Sequence, residues 1–190
     1  PPPVPRASRR APLLLGHASL AVEEDLMEAR LPRAQSYARA ASLNRVEFEP
    51  RRPRIGILAS GTAFAAVLRS LEDLGIDEGA RNALGLRLIR IAMPWPLEDR
   101  LLRELVEGLE EVLVIEDKFP FLEAQLQAAL YHQRSQPMVL GKEDPEGRPL
   151  VPLAGGVDSD VVSRVLAARL PEGDLPAVIR QRLEHRCATG

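Results

Sequence analysis

Ile55-Gly56-Ile57-Leu58-Ala59 is a short apolar run bounded by turn residues. Such a run reads as a strand buried on both faces. Phe64, Val67, Leu68, Leu71 and Leu74 follow at helical spacing and stop at Gly75, which predicts an amphipathic helix with a glycine end. Leu86 to Ala92 gives a second strand, halted by Pro94-Trp95-Pro96. Leu97, Leu101, Leu102, Leu105 and Leu109 mark a second helix at or near one face. The third strand is Glu111-Val112-Leu113-Val114-Ile115-Glu116, and Phe119 to Tyr131 is a third helix with Pro120 tolerated near its start. Pro137 to Gly141 is a fourth short strand, and residues 142–156, rich in Gly, Pro and charge, predict a loop or small hairpin. Asp158 or Ser159 caps a last helix through Val161, Val165 and Leu166 to about Leu170, and a polar helix runs from Leu175 to His185.

Strands alternating with helices of this length predict a parallel sheet covered on both faces. The fold class expected is α/β, a three-layer α/β/α domain over residues 54–170 with a mostly parallel central sheet. Residues 1–53 read differently, as an extended linker with a short helix. Pro1 to Pro12 is polyproline-like, a helix is expected from Pro32 to Ser42, and Pro50 and Pro53 punctuate the approach to the domain. Residues 171–190 form a C-terminal helical tail in this reading.

Composition narrows the picture. Aromatic residues are only 4 % of the chain against 45 % hydrophobic, so the core has to be aliphatic. A net charge of −2 argues against a generic nucleic-acid surface, and no run approaches a membrane span. Lys118 and Lys142 are the only lysines among many arginines. Cys187 alone can make no internal disulfide and hold no cluster, which fits a reducing, cytoplasmic setting. The opening Pro1-Pro2-Pro3-Val4-Pro5, without an initiator Met, reads as a piece of a longer polypeptide.

Known chemical motifs are missing: no dinucleotide or phosphate glycine loop, no nucleophile elbow, and no Gly-Asp-Gly of the thiamine-diphosphate signature. Three clusters remain as candidate contact sites. Ser60, Gly61 and Thr62 join the first strand to the first helix at the sheet's carboxyl edge, where free helix N–H groups attract a phosphate or carboxylate or are simply capped. Glu116 and Lys118 flank Asp117 at the same edge, as ligand contacts, as an interface or as a plain solvated turn. Neighbouring carboxylates at 116 and 117 point apart, which suits shared acid–base work poorly. Trp95, stiffened by prolines, is an interface anchor or a ring folded onto its own domain. His17, His132 and His185 sit in no metal-ligand spacing.

Taken together, several stretches resemble one region of the indolepyruvate ferredoxin oxidoreductases. They are Ile55 to Phe64, Ser70 to Asp77, Leu84 to Leu88, Ala92 to Glu98, Glu107 to Lys118, and Gly141-Lys142-Glu143-Asp144 with Gly147 and Pro149-Leu150 beyond. Arg30-Leu31-Pro32 and Leu43-Asn44-Arg45 also fit, so the likeness runs over about residues 30–170. It departs at Gly61-Thr62, where relatives often have Gly-Lys, and at Asp117, where Glu is usual. The resemblance implies a domain similar to the C-terminal domain of transketolase, with no catalytic, cofactor-binding or metal-binding residue of its own. It implies a thiamine-dependent parent enzyme with magnesium and iron–sulfur clusters, which converts aryl 2-oxoacids to acyl-CoA and reduces ferredoxin. Partners implied are other domains or subunits of that parent, ferredoxin and CoA through it, and a homodimeric assembly. The alternative is a stand-alone flavodoxin-like module binding a phosphate-containing ligand at the first strand–helix turn.

Overall fold

The computed structural model describes residues 16–170 and 177–189, with side chains to 185. The expected polyproline segment Pro1 to Pro12, the start of the tail helix at Leu175 and the thiol of Cys187 lie outside the described residues. In chain order the elements are α1 (His17–Asp25), a π-helical turn Leu26–Arg30, α2 (Leu31–Ala40), β1 (Asn44–Phe48), β2 (Ile55–Ser60), α3 (Gly61–Leu74) and α4 (Glu78–Leu84). There follow β3 (Leu86–Ile91), α5 (Asp99–Val106), β4 (Glu111–Ile115), α6 (Phe121–Leu130), β5 (Met138–Leu140), α7 (Ser159–Arg169) and α8 (Ala177–Thr189).

Five strands make one sheet in the order β1-β3-β2-β4-β5, parallel except for the antiparallel edge strand β1. The sheet is α/β and three-layered, as the alternation of apolar runs predicts. Along β2, Ile55, Ile57 and Ala59 face α3, α7 and α8, while Leu58 belongs to the opposite core with α5 and α6. That two-residue alternation inside an unbroken apolar run is what a strand covered on both faces requires. Gly56 completes the second face, because a Cβ there would lie 2.6 Å from Leu109 Cδ1. Both cores are aliphatic, Phe64 being the one buried ring among the described residues, and Ser70 and Ser163 bridge α3 to α7 with a buried 2.8 Å Oγ···Oγ bond.

Four local expectations change. The apolar pattern predicts no strand ahead of Ile55, yet β1 pairs with β3. Its sequence, Asn-Arg-Val-Glu-Phe, carries too little apolar signal to stand out. Instead Asn44 supplies the order: its Oδ1 accepts from Ala92 N–H (3.0 Å) and Met93 N–H (2.9 Å), and its Nδ2 donates to the Met93 carbonyl (3.1 Å). Helix is also present upstream of Pro32, where the π-helical turn leads into a proline that cannot donate. The short helix α4 escapes periodicity, although Asp77 caps it and Gly85 ends it. Finally Leu68, which spacing assigns to the buried stripe, is 43 % exposed, because Phe64, Val67, Leu71 and Leu74 already fill the contact of α3 with the sheet.

Gly56→Val tests the close approach of Leu109. Valine favours strands, but that preference spans only about 1 kcal/mol, whereas overpacking costs about 1–3 kcal/mol. The expected outcome is net destabilisation by roughly 1–2 kcal/mol in urea unfolding; an unchanged or raised midpoint defeats the packing account.

Candidate functional site

The carboxyl edge of the sheet collects every candidate residue. Strands β2 and β4 are parallel neighbours in register, with Ala59 beside Ile115, so the turns at Ser60–Thr62 and Glu116–Lys118 leave adjacent strand ends. Helix α3 leaves to one face and α6 to the other. This is the topological switch point of an open parallel sheet, the usual place for a ligand crevice. Trp95 follows β3 at the same edge, and Gln125 of α6 ties its turn down by donating to the Pro94 carbonyl at 3.3 Å.

The chemistry present there is largely directed inward. Glu116 is buried, and its carboxylate faces the start of α6, accepting Leu122 N–H at 2.7 Å and Glu123 N–H at 3.0 Å. It satisfies two of the orphan donors of that helix and sets negative charge at its positive end. Asp117 turns outward as alternation demands, and its Oδ1 accepts Val157 N–H at 2.6 Å. Lys118, at φ +59°, donates from Nζ to the Gly155 carbonyl at 2.6 Å. The loop between β5 and α7 is thereby strapped to the end of β4.

Lys142 is not among the candidates that the sequence singles out, and it is the centre of this arrangement. It is 7 % exposed; its Nζ donates to the Glu116 carbonyl at 2.5 Å and to the Pro152 carbonyl at 3.5 Å. Its own N–H donates to Glu123 Oε2 at 3.0 Å. Gly141 leaves room for this, since a Cβ there would displace the Glu123 carboxylate from its present position. Burial pushes the Lys142 ammonium below its ordinary pKa, and the charges of Glu116, Glu123 and Asp117 oppose that shift. One signal was available in the sequence: both lysines of an arginine-rich chain belong to this corner. The compact ammonium of Lys142 reaches two carbonyls, whereas an arginine there would present a planar fork of donors.

The Ser60–Thr62 turn is more open. Ser60 takes the N-cap position of α3 without a side-chain cap bond, Gly61 has φ +53° with nothing within 4 Å of where a Cβ would stand, and Thr62 is exposed. Trp95 is 60 % exposed and does not fold back into its domain. A cleft of about 580 Å³ lies elsewhere, lined by Asp73 of α3 and by Val178, Gln181, Arg182, Glu184 and His185 of α8. Among the described residues no group of three His, Cys, Asp or Glu is placed to hold a metal, and no helix is long and apolar enough to cross a membrane.

Two substitutions separate framework from periphery at this edge. Glu116→Ala should cost about 1–3 kcal/mol, because two N–H groups at a buried helix start lose their acceptor. Lys118→Ala, at an exposed position, should change stability far less. Chemical denaturation of both variants decides, and equal effects refute the assignment. Lys142→Met should also destabilise, and its pH dependence has a sign. The unfolded chain keeps the Lys142 proton up to its ordinary value of 10.5, whereas the folded chain releases it earlier. Stability due to this group therefore rises with pH through that window, and the wild type should gain on Lys142→Met as pH approaches 10.5.

Among known proteins, the indolepyruvate oxidoreductase domain family matches residues 45–187. Indolepyruvate oxidoreductase subunit IorA of Methanothermobacter thermautotrophicus is 32 % identical over 104 residues, covering 55 % of this chain and 16 % of that protein. The IorA subunit of Thermococcus kodakarensis is 28 % identical over 90 residues, covering 47 % of this chain and 13 % of that protein. The chain thus spans only a small part of the length of these relatives. Among solved structures, a 2-oxoglutarate:ferredoxin oxidoreductase from Magnetococcus marinus superposes with TM-score 0.45 at 16 % identity, over 69 % of this chain and 21 % of that one. A split-gene transketolase, an inactive beta4 tetramer, gives TM-score 0.40 at 19 % identity over 74 % of this chain and 41 % of that one. With three quarters of the chain under one family's pattern and the expected parallel sheet in place, this protein belongs to the indolepyruvate oxidoreductase domain family.

Proposed function

We propose that this domain is a structural and interdomain-packing unit of an indolepyruvate-type 2-oxoacid:ferredoxin oxidoreductase, and that it holds no reacting group. The observation that carries this reading is the fate of the polar side chains at the switch point. Glu116, Asp117, Lys118 and Lys142 all bond to backbone groups of their own domain. A diphosphate with its magnesium needs free carboxylates or amides, and this donor set does not fit it. In this proposal thiamine diphosphate, magnesium and iron–sulfur clusters belong to neighbouring domains or subunits, which bind the aryl 2-oxoacid, CoA and ferredoxin. The parent enzyme is homodimeric in the same proposal.

One observation favours the rival reading, a phosphate-binding module: the N-terminus of α3 has no side-chain cap, and the turn at Gly61 is open. A thermal-shift titration of the 190-residue chain with thiamine diphosphate plus magnesium, coenzyme A, FMN and phosphate separates the two. A ligand at a hundredfold its dissociation constant adds about 2.7 kcal/mol, a shift of several degrees for a domain of this size. No shift with any of the four is expected. A clear shift that Thr62→Glu abolishes would replace the packing role with ligand binding.

A further inference from the structure

The chain has four Phe and one Trp, and three of these five rings are exposed at the carboxyl edge. Trp95 is 60 % exposed, Phe119 81 % and Phe121 50 %, and Leu153 on the loop between β5 and α7 is 60 % exposed. A domain so poor in rings would gain most by burying them, since each carries 150–250 Å² of apolar surface. It fills both cores with aliphatic residues and leaves these in water. They are also connected. Gln125 donates to both the Pro94 carbonyl (3.3 Å) and the Phe121 carbonyl (3.1 Å), which draws the Trp95 turn to the start of α6. Phe121 N–H donates to the Phe119 carbonyl at 2.8 Å. Lys118, next to Phe119, bonds to Gly155 of the loop that carries Leu153.

Resting on the packing role proposed above, we infer that this rim of Trp95, Phe119, Phe121 and Leu153 is the surface on which a neighbouring domain of the parent oxidoreductase docks. The partner is an apolar, uncharged patch. Its chemistry follows from the rim: the charges bordering it, Asp117 and Lys118, are bound to the 155–157 loop, so neither is left to recruit an ionic partner between the rings. Exposed apolar rings on a frame whose polar groups are already satisfied are the anatomy of an interface core. The occupant is assigned to the parent and not to a second copy of this domain by length. The match occupies 11–18 % of the IorA relatives, so most of such a polypeptide is available to cover this face.

Hydroxyl-radical footprinting with mass spectrometry tests this on two samples, the 190-residue chain and the intact parent enzyme. Oxidation of Trp95, Phe119 and Phe121 should fall several-fold in the parent. Tyr131, 77 % exposed at the opposite end of α6, serves as the internal reference. Equal labelling of the rim in both samples overturns the docking surface, while the packing role itself stands or falls separately by the ligand titration. Protection of the rim in the isolated chain that grows with concentration overturns the assigned occupant in favour of self-association. The double variant Phe119→Glu/Phe121→Glu should leave the melting temperature of the isolated chain unchanged, since both rings are exposed. In the parent it should restore Trp95 labelling toward that of the isolated chain; persistent protection of Trp95 counts against the rim.

Discussion

The central strand β2 sets the terms for everything else. It lies between two parallel neighbours and is buried along both faces, so water reaches it only at its ends. Every backbone group of such a strand must pair within the sheet, and every side chain must find an apolar partner. Two helical layers are therefore compulsory, and the chain supplies them with α3, α7 and α8 on one side and α5 and α6 on the other. Leu109, seated over Gly56, shows how tightly the second layer closes. Loss of either layer would expose one whole face of the sheet, and a buried Ser70–Ser163 hydrogen bond helps to tie α7 to α3 in the first.

Because the sheet excludes polar groups, they accumulate where the strands end. At the carboxyl edge this creates a conflict: a buried carboxylate, a buried ammonium and a helix N-terminus meet in one corner. An unpaired buried ion costs several kcal/mol, while each good hydrogen bond to a charged group returns about 1.5–3 kcal/mol. The corner is tolerable only if nearly every donor and acceptor is matched, and Glu116 with two N–H groups and Lys142 with two carbonyls meet that condition. The same matching underlies the packing role proposed above, in which these side chains take no part in ligand chemistry. Edge protection elsewhere follows simpler means, since β1 ends the sheet with Arg45 and Glu47 paired at 2.6 Å on its exposed face.

The strands and helices of the core were legible in the sequence because burial on two faces writes long apolar runs. Ile55–Ala59 and Val112–Ile115 carry that signal, and Asp158 announces α7 by capping it. What escaped is what depends on a partner distant in sequence. β1 is a strand only because β3 and the side chain of Asn44 make it one. Leu68 fits the helical stripe by spacing, yet its exposure depends on what α3 packs against. The site divides the same way. Position at the carboxyl edge was readable for Ser60, Glu116 and Lys118, but the place of Trp95 at that edge and the direction in which Glu116 points were not. Lys142 lies 26 residues from Glu116, and only folding reveals that its ammonium reaches that carbonyl.

A framework of this kind changes what a remote residue can do. The rings at the edge owe their placement to groups outside both cores: Gln125 fixes the Trp95 turn and Lys118 fixes the Leu153 loop. Loosening one of these bonds leaves the core intact, because none of them lies between the sheet and its helices. It alters instead the shape of the exposed rim, and shape complementarity decides how well an apolar surface is desolvated on docking. Stability of the isolated domain and fitness of its outer face are therefore set by different residues. That separation suits the packing role proposed above: an aliphatic core set apart from an aromatic edge left exposed.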